Sequence, residues 1–154
     1  MRPKILTKHS ELEEIIVKSN YCSLAMVDGD KPYVLPFNFG FDNEMIYLHS
    51  DPKGKKIDIL EKNPNVCLNF TTDTELFFRD EHVACSYGMK YKSVVVYGEV
   101  EFIEDYDEKV KAMNVIMKQY TKKEFSYNAP AIRNVKVFKV IIKEMTGKAY
   151  GDFN

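Results

Sequence analysis

Residues 21–50 read YCSLAMVDGDKPYVLPFNFGFDNEMIYLHS, and this stretch decides the fold class. Residues 21–27 (YCSLAMV) are an apolar run of strand length. Asp28-Gly29, within DGDK, is a hairpin signal, because glycine enters the positive-φ region that a tight turn demands. Residues 31–41 then alternate. Tyr33, Leu35, Phe37, Phe39 and Phe41 fall on one face, and Val34, Pro36, Asn38 and Gly40 on the other. Asp42-Asn43 turns the chain into a third strand over 44–49. Connections this short make antiparallel neighbours. Pro36 has no N–H to give to a ladder, so its strand belongs at an edge or an interruption.

Working outward, Ser10 followed by Glu13 reads as a capping box, and Leu12, Ile15, Ile16 and Ser19 share a face, which predicts a helix over 10–20. After the third strand comes a break, SDPKGKK, and a short helical pattern through Ile57, Leu60 and Glu61 that Asn63-Pro64 stops. Residues 65–71 predict a strand, and 72–90 an irregular stretch with a possible strand at Glu75–Phe78. Residues 92–103 predict a long strand in which Gly98 marks a bulge or bend. A helix starting at Asp107 puts Val110, Met113, Met117 and Tyr120 on one face, and 135–145 is the last strand. The expected class is mainly β with α. The strand number favours a small closed antiparallel barrel of about six strands with two to three helices packed outside, formed by one domain over 1–154. Strands do not alternate with crossover helices, which argues against a doubly wound parallel fold.

Composition narrows the function. Basic and acidic residues number 22 and 23, so no strong overall field favours nucleic acid or anionic membranes. No apolar run approaches the roughly 18 residues of a membrane span, and the N-terminus lacks a signal-peptide pattern, so a cytoplasmic protein is expected. Cys22, Cys67 and Cys85 are odd in number and far apart, which fits neither a disulfide framework nor a structural zinc site. His82 and Cys85 are three apart without a further ligand beside them, and no metal is expected. Aromatic strands stacking on nucleic-acid bases are the reading that near-neutral charge disfavours.

The stretch from His49 to Lys56, HSDPKGKK, carries the chemistry. A strand ends and a helix begins with Lys53, Lys55 and Lys56 around its first turn, where each cation costs about 0.3–1 kcal/mol against the helix dipole. A bound anion reverses that sign: free backbone N–H groups, the lysines and Ser50 would form a phosphate cradle. A solvated lysine cluster is the plainer alternative. The small even face of the strand at 31–41 offers a flat ring a surface at Pro36 and Asn38, or is an ordinary solvent face. Ser93, at the start of the long strand, would hydrogen-bond a ligand or its own backbone.

Several segments together resemble one family. LAMVDGDKPYVLPFNFGFDNEMIYLHSDPKGKKIDIL, NPNVCLNF, ACSYGMKYKSVVVYGEVEFI and VKVFKVIIKEMTGKA, in that order, resemble the pyridoxamine 5′-phosphate oxidase-like split-barrel proteins and, within them, the branch of 5-nitroimidazole-resistance proteins. The resemblance implies a split β-barrel homodimer with FMN at the subunit interface. It implies that Leu35, Pro36, Phe37 and Asn38 contact the isoalloxazine, and that His49, Ser50, Lys53, Lys55 and Lys56 contact the ribityl and phosphate groups. Tyr91 and Ser93 match a later strand that also approaches the flavin. His49 is the candidate for acid–base work. The true pyridoxamine phosphate oxidases carry a C-terminal segment with Trp and Arg. This chain has no tryptophan and ends in GDFN, so vitamin B6 oxidation is not the expected activity. The branch implies reduction of a nitro group or another small electron acceptor. The alternative is a non-catalytic binder of flavin or of a haem-type planar ligand.

Overall fold

A computed structural model describes residues 2–151. Its elements in chain order are β1 (Lys4–Leu6), α1 (His9–Lys18), β2 (Cys22–Asp28), β3 (Lys31–Phe37), β4 (Gly40–Asp42), β5 (Met45–Ser50), α2 (Lys55–Lys62), β6 (Asn65–Phe77), β7 (Gly88–Ile103), α3 (Tyr106–Tyr120), α4 (Ala129–Asn134) and β8 (Lys136–Tyr150). One sheet takes in all eight strands, in the order β3-β2-β6-β7-β8-β5-β4 with β1 on β8. Every pairing is antiparallel. The path does not close on itself, since β3 and β4 stand at its two ends, so the closed barrel that strand number favoured is instead the split barrel that the resemblance implied.

The inward face follows the alternation read from the sequence. Phe37 and Phe39 are buried, and Tyr33, Leu35 and Phe41 pack against the same core. Leu24, Leu48, Leu68, Phe70, Val96 and Phe138 have no exposed surface, each worth about 1.5–3 kcal/mol of burial for a large side chain. Phe39 meets Phe70 edge to face at 4.9 Å. Gly98 lies where the β7–β8 register shifts, and a Cβ there would stand 2.5 Å from the Ile141 carbonyl oxygen. That is the bulge the sequence predicted.

The structure also corrects the reading. Among the described residues there are eight strands and four α-helices, where about six strands and two to three helices were expected. The segment 31–41 is two strands, because Asn38 and Phe39 leave the ladder. Within 72–90, the expected strand at Glu75–Phe78 is the end of β6, which reaches Phe77 across a bulge between Thr72 and Glu75, and the irregular part is the loop 78–87 before β7. There is no capping box. The N-cap of α1 is Lys8, with no side-chain cap, and Ser10 lies inside the helix. His9 instead ties that first turn to Glu13 at 2.9 Å and to Glu44 at 2.8 Å. On α3 the buried stripe is Lys109, Ala112 and Ile116, one position off the expected Val110, Met113, Met117 face. A lysine reads as surface, and here it is not. The closing Asp152–Asn154 of GDFN lie outside the described residues.

Candidate functional site

The barrel's open seam holds a cavity of about 820 Å³. One wall is the end of β3: Leu35, Pro36, Phe37 and Asn38. β3 pairs only with β2, so Pro36, opposite Ser23, withholds a donor that no ladder requires on its free side. The facing wall is the end of β5, His49 and Ser50, continued by Asp51, Pro52 and Lys56. Asn134 and Val135, at the exit of α4, complete the lining.

The cavity therefore has an apolar strip (Leu35, Pro36, Phe37, Val135), two carboxamides at its rim, and one cation, Lys56, with one anion, Asp51. Burial holds the His49 imidazole below the usual histidine range, so near neutral pH it presents one N–H donor and one bare nitrogen acceptor. No protein group hydrogen-bonds it among the described residues. Ser50 Oγ donates to the Asp51 carbonyl oxygen at 2.8 Å. Gly54, at φ 132°, is the N-cap of α2, and the helix starts with Lys55 and Lys56.

Of the residues singled out in the sequence, seven meet in this cavity: Leu35, Pro36, Phe37, Asn38, His49, Ser50 and Lys56. Four do not line it. Lys53 is exposed. Lys55 Nζ turns onto the Tyr33 ring, 4.4 Å from its centroid, a cation–π contact. Tyr91 stacks on Tyr150, with centroids 5.9 Å apart. Ser93 sits mid-sheet, paired with Thr71 and Lys148. The sequence reading missed Asn134 and Val135. The signal was there: Asn128 caps α4 by accepting from the Ala131 N–H, and Pro130 follows in the first turn. Among the described residues, His9, Glu13 and Glu44 are the one group bringing three ligand-type atoms within 4.8 Å. His9 Nε2 bridges the two carboxylates at 2.9 and 2.8 Å, and none of the three lines the cavity.

The structure is thus a split antiparallel barrel with a largely apolar cavity at its seam, lined by one lysine and one aspartate. The comparisons make this specific: the pyridoxamine 5′-phosphate oxidase family matches residues 8–149, and the chain belongs to that family. A crystal structure of a proposed 5-nitroimidazole antibiotic resistance protein from Bacteroides thetaiotaomicron is similar at 43% identity and a TM-score of 0.86, over 96% of this chain and 87% of that one. The FAD and haem binding protein from Mycobacterium smegmatis is similar in fold alone, at 15% identity and TM-score 0.84, over 97% of this chain and 75% of that one. A flavocytochrome from Azotobacter vinelandii is likewise similar in fold, at 18% identity and TM-score 0.82, over 96% and 70%. No curated protein matches the sequence. No helix among the described residues is long and apolar enough to cross a membrane.

Proposed function

We propose that this chain is an FMN-dependent oxidoreductase that reduces small electron acceptors, nitro-aromatic compounds among them, as a cytoplasmic homodimer. One observation carries the reading: the seam cavity brings the Leu35–Asn38 strand, His49 and Lys56 together around one volume. Its size lies within the roughly 300–1,000 Å³ of small-molecule sites. The donor set fits FMN. Leu35, Pro36, Phe37 and Val135 offer a flat ring an apolar bed, Asn38 offers a carboxamide to its polar edge, and Lys56 at the start of α2 offers charge to a single phosphate. One cation favours FMN over the diphosphate of FAD. The redox chemistry is what FMN supplies when bound, and the protein's part is orientation, shielding and local charge. His49 can hold or release a hydrogen bond to ligand or acceptor without carrying charge.

The dimer is supported by what one chain leaves uncovered. On the β6–β7 extension and the loop joining it, Leu76, Phe78 and Met89 are 59%, 49% and 48% exposed. In a dimer, Tyr91 and Ser93, which miss the cavity of their own chain, would be free to serve that of the other. The reading is tested by mixing FMN-loaded protein with a reduced nicotinamide and a nitro-aromatic acceptor. Acceptor-dependent oxidation of the nicotinamide above the rate with free FMN is expected. Flavin bound with no turnover for any donor would move the protein to the non-catalytic carriers.

The unpartnered His49 favours a second reading, a haem-type planar-ligand binder, because a neutral imidazole nitrogen is a metal ligand. Added haemin giving a sharp Soret band that His49→Ala abolishes would support it.

A further inference from the structure

No residue of α3 lines the seam cavity, yet α3 grips two of its walls. Lys109, Ala112 and Ile116 are the buried residues of the helix, and Tyr120 extends the same stripe by another turn. Lys109 and Tyr120 are thus about 16 Å apart along the axis at 1.5 Å per residue. Each makes a polar contact with a different wall.

At the first end, Lys109 is 6% exposed. Its Nζ donates to the Ile132 carbonyl oxygen at 3.3 Å and the Val135 carbonyl oxygen at 3.0 Å. No carboxylate pairs with it among the described residues. Lysine is almost never fully buried without a partner, and an ammonium group leaves water only when its hydrogens find acceptors. The acceptors here are carbonyls at the end of α4, which its own short helix leaves unpaired. Six residues make too short a helix to persist unaided, so the Lys109 contact fixes where α4 ends. That end is Asn134 and Val135, a wall of the cavity.

At the other end, the Phe39 N–H donates to Tyr120 Oη at 3.1 Å. Phe39 is fully buried and lies in the break between β3 and β4, where no ladder partner is on offer. Its neighbour Asn38 lines the cavity. Beside it, Gly40 lies against the helix so closely that a Cβ would come within 2.6 Å of Ile116 N and Val115 C. The elbow that carries Asn38 is seated on α3 with no slack.

We infer that Lys109 and Tyr120 are positioning residues that set the spacing of the Asn38 and Asn134–Val135 walls from behind, and with it the affinity of the cavity for its planar ligand. The inference rests on reading the cavity as a flavin site. Neither residue lines the cavity. The helix acts as a bracket, and its two polar contacts are independent because they hold different segments.

The test titrates FMN into wild type, Tyr120→Phe, Lys109→Met and Lys109→Arg, following flavin fluorescence, with folding checked by circular dichroism. Backbone hydrogen exchange of the flavin-free proteins is read alongside. Tyr120→Phe keeps the ring and removes the acceptor; the ligand-free elbow is then released to hydrate its N–H, and FMN binding must bury that N–H again, which should weaken it about tenfold. Exchange should quicken at residues 38–40 and not at 134–136. Lys109→Met should weaken binding at least as much, with faster exchange at 134–136 alone, and Lys109→Arg should recover to within about threefold of wild type. A purely structural role would lower the melting temperature and leave the FMN affinity of the folded variants unchanged. FMN affinity within twofold of wild type in folded Tyr120→Phe or Lys109→Met overturns the inference. So does weakened binding with unchanged exchange at the two walls. If Lys109→Met does not fold, Tyr120→Phe decides alone. If wild type takes up no FMN, the flavin reading fails, and unchanged exchange at the walls then overturns the bracket as well.

Discussion

The seam of the barrel and the far end of the β6–β7 ladder are built on opposite terms. At the seam the backbone leaves the sheet twice, at Asn38–Phe39 and again between β5 and α2, and side chains make up the connection. Tyr120 accepts the stranded Phe39 N–H, and Lys109 collects the carbonyls at the end of α4. At the far end the ladder is continuous apart from one bulge, with Glu75 opposite Lys90 and Phe77 opposite Gly88, while large apolar side chains face outward. The seam has irregular backbone whose stranded groups α3 satisfies, around a cavity into which His49 brings an imidazole unpartnered among the described residues. The extension has regular backbone and uncovered apolar surface. A region of the first kind suits a small ligand, and one of the second kind suits another protein surface.

The largest effect that would sharpen this contrast is on stability. Phe39→Ala empties the core behind the seam and should cost about 3–5 kcal/mol in urea unfolding, whereas Phe78→Ala, half exposed, should cost under about 0.5 kcal/mol in the isolated chain. Equal costs would erase the distinction. Next in size is the ligand's charge contact. Lys56→Ala should weaken FMN binding by about tenfold to a hundredfold, the worth of one charge-assisted hydrogen bond, with little change in melting temperature. Lys53→Ala, exposed, and Lys55→Ala, whose ammonium lies on Tyr33, should stay within about threefold. A larger loss at Lys55 than at Lys56 would make Lys55 the residue that holds the phosphate. Replacing Leu76 and Met89 together by serine should leave the fold intact and shift the protein from dimer to monomer in sedimentation. A dimer that survives both changes would take the extension out of the interface.

The smallest effect is in pH. Burial lowers the folded-state pKa of His49 below its unfolded value near 6.5, so the unfolded chain binds the proton more readily. The contribution of neutral His49 to stability is thus present above about pH 6.5 and is lost as the pH falls from there through the folded pKa. His49→Gln should flatten the acid side of the stability profile, and an unchanged profile would mean that other groups carry it.

Much of this was readable from residues alone, for physical reasons. Period-two alternation through Tyr33–Phe41 survives in the fold because one face must enter the core, and Gly98 announced its bulge because no Cβ fits beside Ile141. Seven cavity residues lie in two short segments whose ends a barrel brings together. What stayed hidden depended on distant chain. The extension of β6 through 72–77, TDTELF, was legible only from Glu75 on, because pairing with β7 and not the polar Thr72–Thr74 sequence carries the strand across its bulge. Lysine spacing could not tell that Lys55 would find Tyr33 while Lys56 faced the cavity. The inward stripe of α3 escaped because Lys109 finds carbonyl partners some 23 residues further along the chain.

The central claim is that the seam cavity holds FMN, and the visible absorbance spectrum of freshly purified protein tests it most directly, followed by heat release and chromatography of any chromophore. The account predicts a two-band flavin spectrum, or its appearance on adding FMN, with the released molecule running as FMN and with Lys56→Ala protein losing it. A colourless wild-type protein that takes up no added FMN would contradict it.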